Sequence, residues 1–262
     1  WHFETPINHP NTIGIYLLSQ RAKEHVTVLL SGEGADEVFG GYRRYYDVSF
    51  PYLNTTFADK LYHGISESQE LINYLKPSNR AVMATAFISA GTAKLIFPSF
   101  DLIKATKERF SLYESLTGSV FTKQVKYEMQ SYLPDLLIRQ DKMSMAHSIE
   151  NRVPFLDNDV VKGTFEIPEN LLVRRRSPEG YNTEKYLLKK TAANIFGQKF
   201  AFREKMGFAI PIRDFFSKDK FLEYLNYSVM PGMCARGIIN SKPIEGWLQN
   251  INTISYRELE SL

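Results

Sequence analysis

Two different patterns of apolar residues follow each other near the start of the chain. Residues 11–26 carry apolar side chains at helical spacing, and Asn11 or Thr12 is a residue type that caps helices, so this stretch predicts a helix. Its stripe is Ile15, Leu18 and Ala22. Residues 26–30 then form a short apolar run without alternation. Such a run predicts a strand buried on both faces, as in a parallel sheet covered by helices.

The remainder of the chain gives little strand pattern. Residues 67–150 are rich in helix formers, and another helix is predicted at 182–196. The clearest helix lies between Pro134 and Pro154. We expect it to end near Asn151, because the residue before a proline favours extended backbone. Its apolar stripe is Leu136, Met143, Ala146 and Ile149.

The segment TVLLSGEGADEVFGGYRRY, at 27–45, joins the predicted strand to a glycine-rich loop. Gly32 and Gly34 let backbone N–H groups approach an anion without a Cβ in the way. Neither familiar phosphate loop fits: Glu37 stands at the third glycine of G-x-G-x-x-G, and no Gly-Lys-Ser/Thr ending is present. The loop also carries three carboxylates, Glu33, Asp36 and Glu37.

These carboxylates narrow what the loop can bind. Three acids beside a phosphate chain repel it strongly unless a cation lies between them. Mg²⁺ meets that need, since it is held by one or two carboxylates together with phosphate oxygens and waters. The loop therefore predicts a metal–nucleotide or metal–pyrophosphate site. An exposed acidic turn between strand and helix explains the spacing equally well.

Composition excludes several classes of protein. The chain has 262 residues, 44% apolar and 23% charged, which is ordinary for one large or two smaller globular domains. Its net charge of +3 gives no general case for binding nucleic acid or membranes, and no apolar run approaches a membrane span. The single cysteine, Cys234, suits a reducing compartment, and the opening WHFETPINHP shows no secretory signal. We expect a cytoplasmic protein.

Three blocks of sequence carry a resemblance to a known family. SGEGADEVFGGY at 31–42, DKMSMAHSIENRVPFLD at 141–157, and EKYLLKKTAANIF with REKMGFAIP within 184–211 resemble, in that order, the synthetase domain of glutamine-hydrolysing asparagine synthetases. The resemblance extends over about residues 4–216. It implies an α/β fold whose parallel sheet is of the adenine-nucleotide alpha-hydrolase-like (PP-loop ATPase) type, present in part and followed by a mostly helical region.

The same resemblance implies a division of the chain. Residues 1–60 would be the C-terminal part of the nucleotide-binding core, and residues 61–262 the mainly helical remainder. The family's upstream pyrophosphate loop, SGGxDSS, and its glutaminase domain, which begins with a cysteine, do not occur here. We therefore expect this polypeptide alone to be inactive and to depend on an upstream glutaminase domain or chain.

Activity and site residues also follow from the resemblance. The family uses ATP and Mg²⁺ to convert aspartate to a β-aspartyl-AMP intermediate, which ammonia derived from glutamine turns into asparagine. The catalytic residues would be Glu33, which supports the adenylate and takes a proton, and Lys205, which lies against the phosphates. The residues at the nucleotide would be Ser31, Gly32, Gly34, Asp36 and Glu37, with Asp36 as the Mg²⁺ ligand.

Other interpretations stay open. A related amidotransferase would act on a sugar carboxylate or another acceptor, and a non-catalytic fragment would act through binding, with a homodimer possible in either case. Asp141, Ser148 and Arg152 fall on one face of the predicted helix, and we expect Asp141, Arg152 and Asp157 to tie structural elements together. His147 is expected to be a packing histidine whose polar atoms are satisfied.

Overall fold

The computed structural model describes most of the chain and shows a mostly helical protein around a short two-stranded parallel sheet. The described residues are 1–5, 7, 9–42, 44–45, 77–86, 90–99, 101–173, 184–204, 207–208, 210–216 and 218–250. The strands are β1 (Val28–Leu30) and β2 (Glu150–Arg152). The helices of the first half are α1 (Thr12–Ala22), α2 (Ala35–Phe39), α3 (Pro77–Ala84), α4 (Ala90–Ile96), α5 (Leu102–Ser115), α6 (Val120–Ser131) and α7 (Leu133–Met145). Those that follow are α8 (Asn158–Phe165), α9 (Glu169–Leu172), α10 (Tyr186–Phe196), α11 (Gln198–Ala201), α12 (Ile212–Phe216), α13 (Asp219–Tyr224), α14 (Met230–Ala235) and α15 (Ser241–Gln249). A 3₁₀ turn spans Pro154–Leu156, and a π-helical segment spans Leu225–Val229.

The sheet confirms one prediction and corrects another. β1 is parallel and ends at Leu30, directly before the Ser31 loop, as the sequence predicts. Its partner is β2, with Val28 opposite Glu150 and Leu30 opposite Arg152. No local pattern predicts this second strand, because three polar residues carry no apolar alternation. Pairing with a strand more than 100 positions away fixes their extended backbone, and tertiary pairing outweighs local propensity.

The helix before β2 is shorter than expected. α7 ends at Met145, whereas we expected it to continue to Asn151. Ser148 has a positive φ of 54°, which a continuing α-helix does not allow. The chain therefore turns at residues 146–149 and enters β2. Asp141 and Arg152 consequently do not share a helical face. The predicted apolar stripe does face inward, since Leu136, Met143 and Ile149 are all buried.

The surroundings of β1 differ from the expectation of burial on both faces. Val28 is 40% exposed and Leu30 is 72% exposed. Among the residues that the structure describes, β2 is the one strand that pairs with β1. An apolar run predicts burial only where something covers both faces, and here one face of β1 is open.

α1 packs against α7, but only part of the predicted apolar stripe of α1 is buried in that contact. Ile15 is buried as expected, with Thr12 and Ser19, but Leu18 is 58% exposed. Asn11 occupies the N-cap position without making a side-chain cap bond. Its side chain is engaged elsewhere, as described below. Ile15, Met143 and Phe3 form the small core that joins α1 to α7.

A second core lies beneath the glycine-rich loop. Tyr45, Phe121 and Val125 pack there with the end of α9, at Leu172 and Val173. A larger apolar cluster joins α4 to the C-terminal helices. The glycine-rich loop thus rests on packed helices. No helix in the described part of the chain is long and apolar enough to cross a bilayer.

A buried polar network fixes the chain just after the loop. The Glu128 carboxylate, on α6, is fully buried. Arg44 donates to it from Nε and Nη2, both at 2.7 Å. Tyr45 Oη donates at 3.0 Å and Gln124 Nε2 at 2.6 Å. Four donors thus satisfy one buried carboxylate and anchor residues 44–45 to α6.

Candidate functional site

The glycines of the loop at the end of β1 have two different reasons to be glycine. Gly34 adopts φ +86°, and a Cβ there would fall on the Leu156 side chain. A Cβ on Gly41 would fall on the Asp36 carboxylate. Both glycines are required by the packing of the protein itself. A Cβ on Gly32, by contrast, would meet nothing within 4 Å. The backbone at Gly32 is open to a ligand.

The structure separates the three carboxylates of the loop. Glu33 is a quarter exposed, and its Oε1 lies 3.9 Å from Arg139 Nη2. Burial raises the pKa of the Glu33 carboxyl, the charge of Arg139 opposes that rise, and the charge of Asp36 adds to it. A carboxylate with a raised pKa is better suited to accept a proton than an ordinary one.

Asp36 faces a different cation. Its Oδ1 lies 3.0 Å from Lys185 Nζ, with both side chains mostly buried. Lys185 itself has a positive φ of 51°, and its backbone N–H donates to the Gly40 carbonyl at 3.3 Å. The stretch before α10 is thereby attached to the end of α2. The sequence reasoning missed Lys185, although it lies inside the third block of the resemblance.

Glu37 is buried, with 1% exposure. Its Oε1 accepts a hydrogen bond from Tyr42 Oη at 2.7 Å. Burial raises the pKa of Glu37 to about 7, the bonds from Tyr42 and from its own backbone N–H oppose the rise, and the charges of Asp36 and Glu128 add to it. Of the two neighbouring acids, Asp36 lines the open cleft and Glu37 is not among the described residues that do so.

That cleft has a volume of about 500 Å³, within the range of small-molecule sites. Asp36 lies on one wall, and the opposite side is formed by α10, α11 and the segment after α11. Its basic lining residues are Lys185, Lys189 and Arg203. Arg203 stacks on the ring of Phe200 at 4.4 Å, which holds its guanidinium in place. Glu184 and Glu204 also line the cleft, and charges of both signs suit phosphate groups that bind together with a metal cation.

A second feature that sequence reasoning missed connects the loop to Asn11 and, through it, to Phe208. Arg139, on α7, is 4% exposed. Its Nη1 donates to Asn11 Oδ1 at 2.8 Å, and Asn11 Nδ2 donates to the Phe208 carbonyl at 3.1 Å. Arg139 lies two positions before the second block of the resemblance. An arginine on a helix that is mostly apolar on its inner face was the available signal.

The remaining predicted residues have different outcomes. Lys205 lies outside the described residues. Ser31 donates its backbone N–H to the Arg152 carbonyl at 2.9 Å, and its Oγ is buried without a partner in the described part of the chain. Ser31 Oγ thus leaves a buried hydrogen-bonding group unsatisfied at the end of β1.

The contacts of the second block differ in part from those expected. Asp157 caps α8 by accepting from the Asp159 N–H at 2.9 Å. Arg152 pairs with Glu150 of its own strand at 2.6 Å and does not tie two helices together. His147 packs on Tyr16 at 4.3 Å, as a packing histidine should. Its Nε2 is buried without a hydrogen-bond partner among the described residues, so no described residue provides the expected satisfaction of its polar atoms.

The donor set fits a metal that is shared with a ligand. The described residues contain no group of three or more His, Cys, Asp or Glu side chains able to hold a metal by themselves. Asp36 lines a cleft that also contains Glu184 and Glu204, and its Oδ1 lies 3.0 Å from Lys185 Nζ. Mg²⁺ commonly takes one or two carboxylates and completes its shell with phosphate oxygens and water. Asp36 can supply that one protein oxygen.

Comparison with known proteins assigns a family to this arrangement. The family model described as asparagine synthase matches residues 1–246. The chain is 34% identical over 229 residues to asparagine synthetase [glutamine-hydrolyzing] 1 of Bacillus subtilis, covering 81% of this chain and 35% of that protein. It is 26% identical over 245 residues to a putative asparagine synthetase [glutamine-hydrolyzing] of Mycobacterium tuberculosis H37Rv, covering 86% of this chain and 36% of that protein.

A more distant relative carries a different name. Amidase chry2 of Gibberella zeae is 21% identical over 222 residues, covering 72% of this chain and 33% of that protein. No solved structure matches the chain significantly. This chain thus spans about a third of the length of these curated relatives.

Proposed function

Because the chain belongs to the asparagine synthase family, we propose that it forms part of an ATP-dependent amide-forming ligase that converts aspartate to asparagine through β-aspartyl-AMP. Nitrogen would come from glutamine, through a glutaminase domain or chain, or from free ammonia. The observation that carries this proposal is the Asp36–Lys185 pair at the edge of a cleft lined by charges of both signs, four residues after the open backbone of Gly32. Asp36 would hold the metal, and Lys185, which now lies 3.0 Å from Asp36, would instead contact the phosphates of the bound nucleotide.

In the first step the substrate carboxylate attacks the α-phosphorus of ATP. A bond forms between the carboxylate oxygen and phosphorus, the bond to the bridging oxygen breaks, and pyrophosphate leaves with that electron pair. Negative charge grows on the departing phosphates. Mg²⁺, held by Asp36 and phosphate oxygens, would neutralise part of that charge. Lys185, Lys189 and Arg203 line the cleft where the phosphates would lie, and Lys205 follows in the same segment.

In the second step ammonia attacks the acyl carbon and AMP leaves. The nitrogen becomes positively charged as its bond to carbon forms, so it must lose a proton. Glu33 suits this role because burial raises the pKa of its carboxyl while Arg139 keeps a positive charge 3.9 Å away. Glu37, buried against Tyr42, would position the loop without touching substrate.

A second candidate is the same chemistry on another acceptor. A fungal protein named an amidase matches 72% of this chain, so relatives of the chain do not all carry the asparagine synthetase name, which supports keeping this candidate. The residues that line the cleft would contact phosphates and do not identify the acceptor. Acceptor choice therefore separates the two candidates.

The test is pyrophosphate exchange into ATP by the full-length protein, with aspartate and Mg²⁺ present. We expect exchange that depends on aspartate and that Asp36→Asn reduces by about 10²-fold or more, because the metal–phosphate contact is lost. Lys94→Ala, an exposed lysine on α4, is the matched control and should not change the rate. Exchange with another carboxylate but not with aspartate would favour the second candidate. No exchange with any carboxylate would leave a binding protein as the better interpretation.

A further inference from the structure

Arg139 and Asn11 together connect parts of the chain that are far apart in sequence. Glu33 follows β1, Asn11 precedes α1, and Phe208 lies beyond α11. Arg139 Nη2 lies 3.9 Å from Glu33 Oε1, and Arg139 Nη1 donates to Asn11 Oδ1 at 2.8 Å. Asn11 Nδ2 then donates to the Phe208 carbonyl at 3.1 Å. A continuous polar bridge thus joins the acidic loop to the segment that contains Gly207 and Phe208.

The bridge is reinforced by packing at its far end. The Phe208 ring lies against α1 at Gly14, where an added Cβ would approach Phe208 Cζ to 3.1 Å. Asn11 and Gly14 therefore hold the same residue, one through its carbonyl and the other through its ring. Phe208 is nevertheless 55% exposed, so burial alone does not fix its position.

The charge of Arg139 is not placed for stability alone. Its side chain is 5% exposed, yet Nε is buried and finds no hydrogen-bond partner in the described part of the chain. Nη2 lies too far from Glu33 for a good hydrogen bond, so their attraction is electrostatic and leaves room for the carboxylate to move. Buried donors left unpaired are unfavourable for folding and call for a functional explanation.

We propose that Arg139 and Asn11 are positioning residues that set the distance between the Glu33 carboxylate and the segment around Phe208, so that both act on one bound substrate. This inference rests on the proposed function, in which Glu33 takes the proton from the attacking nitrogen, and on Gly207 and Phe208, which line the same cleft as Asp36. Displacement of a reacting group by about 1 Å can cost about 10²-fold in rate. Arg139 and Asn11 act through Glu33 and Phe208 and do not contact the reacting atoms.

The kinetic test follows pyrophosphate release and amide product on the same samples of the full-length protein. Asn11→Ala removes both bonds of the bridge, and Arg139→Lys keeps a charge near Glu33 but cannot also reach Asn11 with a planar fork. We expect each variant to lower kcat for amide formation about tenfold or more, with KM for ATP changed less than about twofold. The double variant should be no worse than the more impaired single variant, because both changes break one bridge.

A second readout does not depend on activity. Hydrogen exchange of the backbone amides at Gly207 and Phe208 should become faster in Asn11→Ala and in Arg139→Lys. Arg21→Ala, an exposed arginine that pairs with Glu24, is the control and should change neither exchange nor rate. Asn11 is partly exposed at the start of α1, so Asn11→Ala should remain folded even if Arg139→Lys does not.

The outcomes separate the two proposals. If the wild-type protein releases no pyrophosphate and makes no amide, the proposed function fails. The hydrogen-exchange rates of the amides still decide whether the bridge positions residues 207–208. If the wild type is active but the two substitutions multiply in kcat, the positioning role is wrong. Unchanged hydrogen-exchange rates of the amides at residues 207–208 in a folded Asn11→Ala protein would also overturn the positioning role.

Discussion

The buried ion pair between Arg44 and Glu128 allows a stability prediction with a magnitude. Arg44 donates two hydrogen bonds of 2.7 Å to the fully buried Glu128 carboxylate. Its guanidinium carbon also lies 3.7 Å from the centre of the Tyr42 ring and 4.7 Å from that of Tyr132. Arg44→Met keeps an unbranched stem against these rings and removes the charge. Tyr45 and Gln124 would then be the two remaining donors to the carboxylate.

The expected loss is about 3–5 kcal/mol in the free energy of unfolding. A hydrogen bond to a charged group contributes about 1.5–3 kcal/mol, and two are removed. Removing one partner of a buried pair costs about 3–5 kcal/mol, because the other charge is left uncompensated. Glu128→Gln in the same chain removes that charge while keeping an oxygen for Tyr45 and Gln124. The double variant should therefore recover about 2 kcal/mol relative to Arg44→Met alone, which is the sign of a coupled pair.

Urea unfolding followed by circular dichroism measures these differences, with the slope of the transition compared across variants. Arg21→Met is the matched control: Arg21 is 73% exposed and pairs with Glu24, so its change should stay within about 0.5 kcal/mol. A loss below about 1 kcal/mol for Arg44→Met, or a double variant less stable than both single variants, would refute the reasoning.

Three further predictions follow from the site and its surroundings. In the full-length protein, Lys205→Ala should lower kcat for adenylate formation by about 10²–10³-fold, the loss expected for one preorganised charge, with a smaller effect on KM for ATP; normal pyrophosphate release would contradict this. Glu33→Gln should lower amide formation by about 10²–10⁴-fold while pyrophosphate release continues, because it removes a proton acceptor; equal loss of both would show that Glu33 also organises ATP. Burial, aided by the charge of Arg139 and opposed by Asp135, holds the pKa of His9 below its ordinary value of 6.5. The folded protein therefore binds this proton less readily than the unfolded chain, and the stability gained above pH 6.5 is lost as pH falls through the folded pKa. Urea unfolding at about pH 7.5 and about pH 5.5 should show a smaller difference in the free energy of unfolding for His9→Gln than for wild type, with His25→Gln as the exposed control. An equal difference for His9→Gln and wild type would contradict this prediction.

The sequence located β1, the glycine-rich loop and the helix-rich remainder because those features are local. An apolar run, two closely spaced glycines and a helical stripe each need only a short window to be recognised. The same reasoning failed at β2, where the polar residues 150–152 become a strand through pairing with β1. It also extended α7 too far, since no rule of local propensity places Ser148 in the left-handed region.

The sequence predicted the acidic residues of the site but not the basic residues that pair with them. Glu33 and Asp36 stand in one short motif, whereas Arg139 and Lys185 lie more than 100 positions away. A single sequence contains nothing that says which arginine or lysine meets which carboxylate. The different surroundings of Asp36 and Glu37 were equally hidden, because neighbouring residues on α2 point in different directions and only the packed structure shows that one is buried.

The two kinds of glycine in the loop have an evolutionary consequence. Gly34 and Gly41 are held by steric packing against Leu156 and Asp36, whether or not a nucleotide is ever bound. A gene copy that lost catalysis would still be selected to keep both, so the motif by itself marks the fold and not the activity. Gly32 meets no such constraint. Substitution should therefore accumulate at Gly32 first in lineages released from phosphate binding, and the contrast between Gly32 and Gly34 across relatives would date the loss of chemistry.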